Sequence, residues 1–394
     1  MKRGWEIKKL GDCFDYIKNG ANIKQERGAG GIPITRIETL SGGIFNRDRL
    51  GYANIQDINK YESHILESED LLLSHINSKT YIGRTVVYVK DGDETIIHGM
   101  NLLRLRATRS VINPFLFYYY SLSDKFNGQI ANRRKDAVNQ SSISVGDLKT
   151  IVVPIPPLPE QERIVAELDC LSSIIEKQKE QLKELDNLAQ SIFYTMFGDP
   201  ISNNYGWETL KLSEGCDEIG DGLHGTPNYD SNGKIAFING VNMVDGKIQL
   251  TDKTQFVNEV EAKKHSIKMG TNTVLLSING TLGKTAIYRN EDIILGKSAC
   301  YCNIKENILD VIFLERLMRT DSFKVFLENN SSKSTIKNVG LKAIRNYRVI
   351  TPPLTVQQEF ASKIEAIEKQ KELIKKSIEE TETLFNSRMD YYFN

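Results

Sequence analysis

Apolar residues recur along 164–196 at spacings that alternate four and three: Ile164, Leu168, Leu171, Ile175, Gln178, Leu182, Leu185, Ala189, Ile192 and Met196. The same frame returns 196 positions later as Phe360, Ile364, Ile367, Lys371, Ile374, Ile378, Thr381, Phe385, Arg388 and Tyr392. Such spacing keeps one apolar seam along one side of a helix and marks helices that wrap a partner helix. Gln178, Lys371, Thr381 and Arg388 interrupt it. The pattern predicts two helices of about 39 residues, each roughly 58 Å long at 1.5 Å per residue. That outreaches a globular part roughly 30 Å across. Each helix therefore needs a further partner, the other helix is the obvious one, and an antiparallel pair is expected.

Ahead of the first long helix the pattern changes to short β-rich runs, at 85–89, 95–105 and 151–154, broken by turn residues. One helix start stands out: Asn113-Pro114 offers an N-cap followed by proline in the first turn, and Asp310 takes that role later. Thr355-x-x-Gln358 reads as a capping box for the last helix, with Pro159-x-x-Glu162 at the matching place, and Gly198 as a stop.

These segments are written twice. Gly4-Trp5-Glu6 returns as Gly206-Trp207-Glu208, and Leu72-Leu73-Ser74-His75-Ile76-Asn77 as Leu275-Leu276-Ser277-Ile278-Asn279. Ile32–Ile37 pairs with Ile235–Gly240, and Gly83-Arg84-Thr85 with Gly283-Lys284-Thr285. Ile96-Ile97-His98-Gly99 pairs with Ile293-Ile294-Leu295-Gly296, and Pro156-Pro157-Leu158 with Pro352-Pro353-Leu354. Matches in one order over the whole chain indicate a duplication. It implies domains at 1–155 and 199–353, followed by helices at 156–198 and 354–394.

Composition alters this picture little; charge alters it more. The 394 residues hold 51 basic and 51 acidic side chains, so the net charge is zero. Taken whole, that argues against nucleic acid, because phosphate contacts need Lys and Arg. Divided by part, residues 1–155 carry +5 and 199–353 carry +1, while the helices carry −4 and −2. The zero is a cancellation between basic globular parts and acidic helices.

Catalytic chemistry is not legible. Gly283-Lys284-Thr285 resembles the end of a phosphate-binding loop, but Ile278 stands where that motif needs glycine. The five cysteines and five histidines show no metal spacing. No apolar run is long enough for a bilayer, and the first nine residues have no secretory core, so a cytoplasmic protein is expected.

What the globular parts do offer is polar loops and clustered bases. Arg104, Arg106 and Arg109 lie near a strand end, and Arg133, Arg134 and Lys135 open a loop running to Asn139 and Gln140. Lys333 and Lys337 sit at the matching place, followed by Lys342, Arg345 and Arg348. Further candidates are Asn22, Arg36, Asn77, Lys79 and Arg84 in the first copy, and Asp221, His224, Thr226, Asn239, Asn279, Thr281 and Lys284 in the second. Lys and Arg suit phosphates, while Asn and Gln suit base edges.

The Trp5 and Trp207 domain starts, the Pro156-Pro-Leu-Pro-Glu-Gln-Glu-Arg163 segment, Phe197-Gly-Asp-Pro200 and Pro352-Pro-Leu-Thr-Val-Gln-Gln358 carry a resemblance. Together with the duplication they resemble the specificity subunit of a type I restriction–modification system, over nearly the whole chain. Val356 replaces Glu160 in the second copy. The resemblance implies an α+β chain: two similar target-recognition domains joined by two long antiparallel coiled-coil helices about a pseudo-two-fold axis. It implies double-stranded DNA with a bipartite site as ligand, and two methyltransferase subunits and restriction/translocase subunits as partners. No cofactor is expected in this chain; S-adenosylmethionine, ATP and Mg would belong to the partners. The competing readings are a coiled-coil adaptor between proteins, and a recognition subunit that serves methylation without a nuclease.

Overall fold

The computed structural model describes residues 4–26, 30–55, 57–138 and 140–394. Residues 1–3 of the opening segment and Asn139 of the polar loop lie outside them. Packing divides the chain into two units, 1–178 with 377–394, and 179–376. Each unit takes part of both long helices, Leu158–Phe197 and Leu354–Phe393.

In the first unit a four-stranded antiparallel sheet runs Phe14–Asn19, Leu103–Ala107, Leu71–Leu73, Thr85–Val87. The second unit repeats that order with Cys216–Asp221, Ala299–Ile304, Thr273–Ser277 and Thr285–Ile287. Even the register shift recurs, between Phe14 and Tyr16 and between Cys216 and Glu218. The run at 95–105 yields a strand only from Leu103. Ile97 forms isolated bridges, and the chain turns at Gly99, where a Cβ would lie 2.2 Å from the Thr35 carbonyl. Both N-caps form: Asn113 accepts from Phe115 N–H at 2.9 Å and Asp310 from Ile312 N–H at 2.8 Å.

The capping boxes do not form. The helices begin at Leu158 and Leu354, so Thr355 is already inside the first turn. The neighbouring glutamine is the structural residue instead. Gln161 is fully buried, accepts from Asn113 N–H at 2.7 Å, and donates to the Val111 and Pro156 carbonyls at 2.9 and 2.8 Å. Gln357 repeats this with Asp310, Ile308 and Pro352 at 2.9, 3.1 and 2.8 Å.

None of the predicted seam residues is exposed: Ile164, Leu168, Phe360, Ile364, Ile367 and Ile378 are buried, and Leu171, Ile175, Leu182, Leu185, Ile374 and Phe385 are half-buried. Within the first unit, Gln178 meets Ser377 at 2.7 Å, Glu167 meets Arg388, and Arg163 meets Tyr392 at 3.2 Å. Numbers rise on one helix as they fall on the other, so these halves run antiparallel. The second unit does the same: Lys371 meets Asp186 at 2.6 Å and Phe360 packs on Phe193. Three of the interruptions, Gln178, Lys371 and Arg388, are thus polar contacts that pin the register, while Thr381 donates to Ser377 O in its own helix. Arg388, then the Tyr392 hydroxyl, hold the Glu167 carboxyl below the usual range.

At their far ends both helices leave the heptad frame. In the first, Phe193 and Phe197 are buried while the frame residues Ile192 and Met196 are half-buried; in the second, Met389 and Phe393 join the frame residue Tyr392 in the core. A straight helix drifts about 20° per heptad. Over the four heptads that precede, this amounts to nearly one residue.

Candidate nucleic-acid interface

In the first unit, strands Lys135–Asp136, Ser141–Ser142 and Ile76–Asn77 form a small sheet in that order. It gathers Asn77, Lys79, Arg134, Lys135 and Gln140. Asp136 is the hub: it accepts from Ser141 Oγ at 2.6 Å and pairs with Lys79 at 3.0 Å and Arg134 at 3.1 Å. The Ser141 hydrogen bond, then Lys79, hold its carboxyl below the usual range. Asn77 donates to Ser74 Oγ at 3.1 Å. Arg133 turns back to Thr150 Oγ1 at 3.0 Å. Arg84 lies over the Tyr81 ring at 4.4 Å, Arg36 pairs with Glu38 at 3.4 Å, and Asn22 is exposed.

The second unit builds the same frame. Ser74 and Ser277 each accept a glycine N–H, from Gly83 at 2.8 Å and Gly283 at 3.0 Å. Ile143 N–H donates to His75 O at 2.9 Å, and Val339 N–H to Ile278 O at 2.9 Å. Asn279 bridges Asn338, and Gly280 N–H donates to Lys337 O at 2.9 Å, which brings Asn279, Thr281 and the exposed Lys333 and Lys337 to one edge.

A second shared frame holds the loop before it. Ala21 N–H donates to His98 O at 2.7 Å and Met100 N–H to Ala21 O at 3.1 Å. Leu223 N–H donates to Leu295 O at 2.7 Å and Lys297 N–H to Leu223 O at 2.9 Å. Asn22 and His224 therefore occupy equivalent positions. His224 Nε2 contacts Asp221 Oδ2 at 2.7 Å. His224, Thr226 and Asn239 line a cavity of about 270 Å³ with Tyr229, Lys297 and Ser298. The Ser298 carbonyl accepts from Ile278 and Asn279, so this cavity adjoins the Asn279 edge.

Some bases named from the sequence serve the fold instead. Arg104 is 3% exposed and donates to the Ile65 and Ser63 carbonyls, both at 2.6 Å. Arg106 grips Asp70 with two bonds of 2.8 Å, and Arg109 pairs with Glu69. Arg345 donates to Ile219 O at 2.6 Å and Arg348 to Thr209 Oγ1 at 2.8 Å. Lys284 lines a separate cavity of about 460 Å³ with Arg316 and Arg319. Thr285 behind it opens a strand and donates to Glu315 at 2.7 Å, so no helix terminus backs a phosphate loop there.

Sequence reasoning missed Lys297, Ser298 and Tyr229. The Ile293–Gly296 repeat was visible, and continuing it past Gly296 reaches Lys297 and Ser298. His75, 7% exposed, was also unassigned. Its Nδ1 has no partner, and burial pushes its pKa down to about 4. The unfolded chain takes up this proton near the ordinary value of 6.5. The contribution is therefore complete above that pH and is lost as pH falls toward 4. At about 1.4 kcal/mol per pKa unit, roughly 2 kcal/mol disappears between about pH 7.5 and 5. His75→Ile, the residue the second copy carries at Ile278, is expected to remove that part of the acid sensitivity in urea unfolding. An unchanged difference between the two pH values would refute it.

Among the described residues, no helix is long and apolar enough to cross a membrane. A family profile, the type I restriction modification DNA specificity domain, matches residues 2–186 and again 204–383. A Methanocaldococcus jannaschii protein assigned as the MjaX type I restriction enzyme specificity subunit is 26% identical, over 96% of this chain and 90% of its own. The EcoKI specificity subunit of Escherichia coli K12 is 18% identical over 96% and 85%. The crystal structure of a type I restriction–modification S subunit from M. genitalium superposes with a TM-score of 0.58 at 14% identity, covering 98% of this chain and 95% of that one. With both copies matched, the chain belongs to the type I restriction–modification DNA specificity family.

Proposed function

We propose that this chain is the sequence-reading subunit of a type I restriction–modification complex and carries no catalytic centre of its own. Each unit reads one half of a bipartite double-stranded site. The two long helices set the spacing between the half-sites and dock two methyltransferase subunits, with restriction/translocase subunits completing the complex. S-adenosylmethionine, ATP and Mg belong to those partners. The acidic helices suit protein rather than phosphate, and the small positive excess of the globular parts suits a grip completed by partners.

One observation carries this reading. The two units hold the same hydrogen-bonded frame around Ser74 and Ser277, and around Ala21 and Leu223, yet present different exposed side chains on it, as at Asn22 against His224. A constant frame with a changed reading set is what two different half-sites require. Exchanging residues 1–155 for those of another specificity subunit is expected to change one half of the methylated motif and leave the other half and the spacing alone. Methylome sequencing reads this directly. A motif changed in both halves, or in neither, would sink the assignment.

A further inference from the structure

We propose that His224 is a base-reading side chain of the second unit, and that it recognises an exocyclic amine, adenine N6 or cytosine N4, through a bare ring nitrogen. The inference rests on the function proposed above and names the chemistry of one position in it. His224 Nε2 lies 2.7 Å from Asp221 Oδ2. A carboxylate can only accept, so Nε2 carries the hydrogen and donates. In the neutral ring this leaves Nδ1 as an acceptor, with the tautomer set by Asp221. The ring is 74% exposed, so that acceptor is open to a ligand.

Its surroundings fit a base edge. His224 borders the 270 Å³ cavity with Tyr229, Asn239, Lys297 and Ser298. Lys297 is exposed and supplies a cation for a neighbouring phosphate. Tyr229 packs against Phe237 at 5.8 Å between centroids and forms an apolar wall. The frame beneath is rigid: Leu223 is bonded on both sides to the Leu295–Lys297 segment. A Cβ at Gly222 would lie 2.1 Å from the Leu295 carbonyl, so the chain passes there only as glycine. The equivalent side chain in the first unit, Asn22, offers both a donor and an acceptor. The frame is kept and the reading chemistry changes.

The test uses the complete modification complex. His224→Ala is expected to relax one base pair in one half-site by about ten-fold in methylome sequencing. Asp221→Asn, which can donate and so release the tautomer, is expected to relax the same pair. Duplexes altered at that pair then separate the chemistries. Removing the amine, with purine for adenine or pyrimidinone for cytosine, should weaken wild-type binding about ten-fold and leave His224→Ala unaffected. A 7-deazapurine, which removes an acceptor, should leave the wild type unaffected. An unchanged motif in His224→Ala overturns the inference. So does wild-type binding that responds to the 7-deazapurine and ignores loss of the amine. Exchange of residues 199–353 is the separate control: if that changes no half-site, the proposed function fails, not the role of His224.

Discussion

Replacing Gln161 by alanine is expected to destabilise the first unit by about 3–5 kcal/mol, since each buried polar group left unpaired costs about 1–3 kcal/mol. Three groups lose their partner: Asn113 N–H and the Val111 and Pro156 carbonyls. All three lie where the central helix meets the segment that starts the Pro114–Leu122 helix, so the loss loosens a junction rather than a loop. Gln161→Glu is expected to be at least as damaging, because a carboxylate keeps the acceptor and has no N–H for the carbonyls. Gln357→Ala should do the same in the second unit. The exposed neighbours Glu162 and Gln358 are the controls, expected to stay within about 0.5 kcal/mol. Urea unfolding of the whole chain measures all of these. Equal effects at 161 and 162 would mean that the buried glutamine is not the hinge of the junction.

Arg104→Ala is expected to cost about 3–5 kcal/mol, the usual cost of removing one partner from a buried charge network. It would orphan the Ile65 and Ser63 carbonyls and empty a site against the Tyr16 ring, whose centroid lies 4.8 Å away. Asp70, with a side chain 1% exposed, would keep Arg106 and the Glu67 N–H but lose its second cation, Arg104 at 3.7 Å. Arg104→Lys should fail as well, because one ammonium does not reproduce the forked donation to two carbonyls. Arg109, 60% exposed and paired with Glu69, should cost under about 1 kcal/mol when truncated. The alternative, a phosphate contact, predicts the reverse: intact stability and a salt slope of DNA binding reduced by about 1. Unfolding and salt titration of Arg104→Ala decide between them.

These two residues also show where sequence reading stops. Arg104 stands in a strand whose alternation sets it on the face opposite Leu103 and Leu105, and a cluster of three arginines within six positions reads as a basic patch. Only the fold brings up the Ser63–Ile65 segment and Asp70 to absorb the charge. Gln357 and Gln358 look alike as polar residues near a helix start. Which one is buried depends on where the helix begins, and the prolines at 156, 157, 352 and 353 move that start earlier than a capping box allows. The heptad frame drifts at the far end of the first long helix for a related reason. Alternating spacing selects Ile192 and Met196, while the 3.6-residue turn carries Phe193 and Phe197 into the core of the second unit.

The sequence by itself determined the duplication, the two long amphipathic helices, the caps at Asn113 and Asp310, and the family. Those are properties of period and order along the chain, written in neighbouring residues or in the return of the same pattern later in the chain. The tertiary structure decided which charges face solvent, which glutamine ties the junction, and that positions 22 and 224 share one frame. Those depend on partners distant in sequence, His98 for Ala21 and Leu295 for Leu223, and hydrogen bonds between distant segments leave no periodic trace.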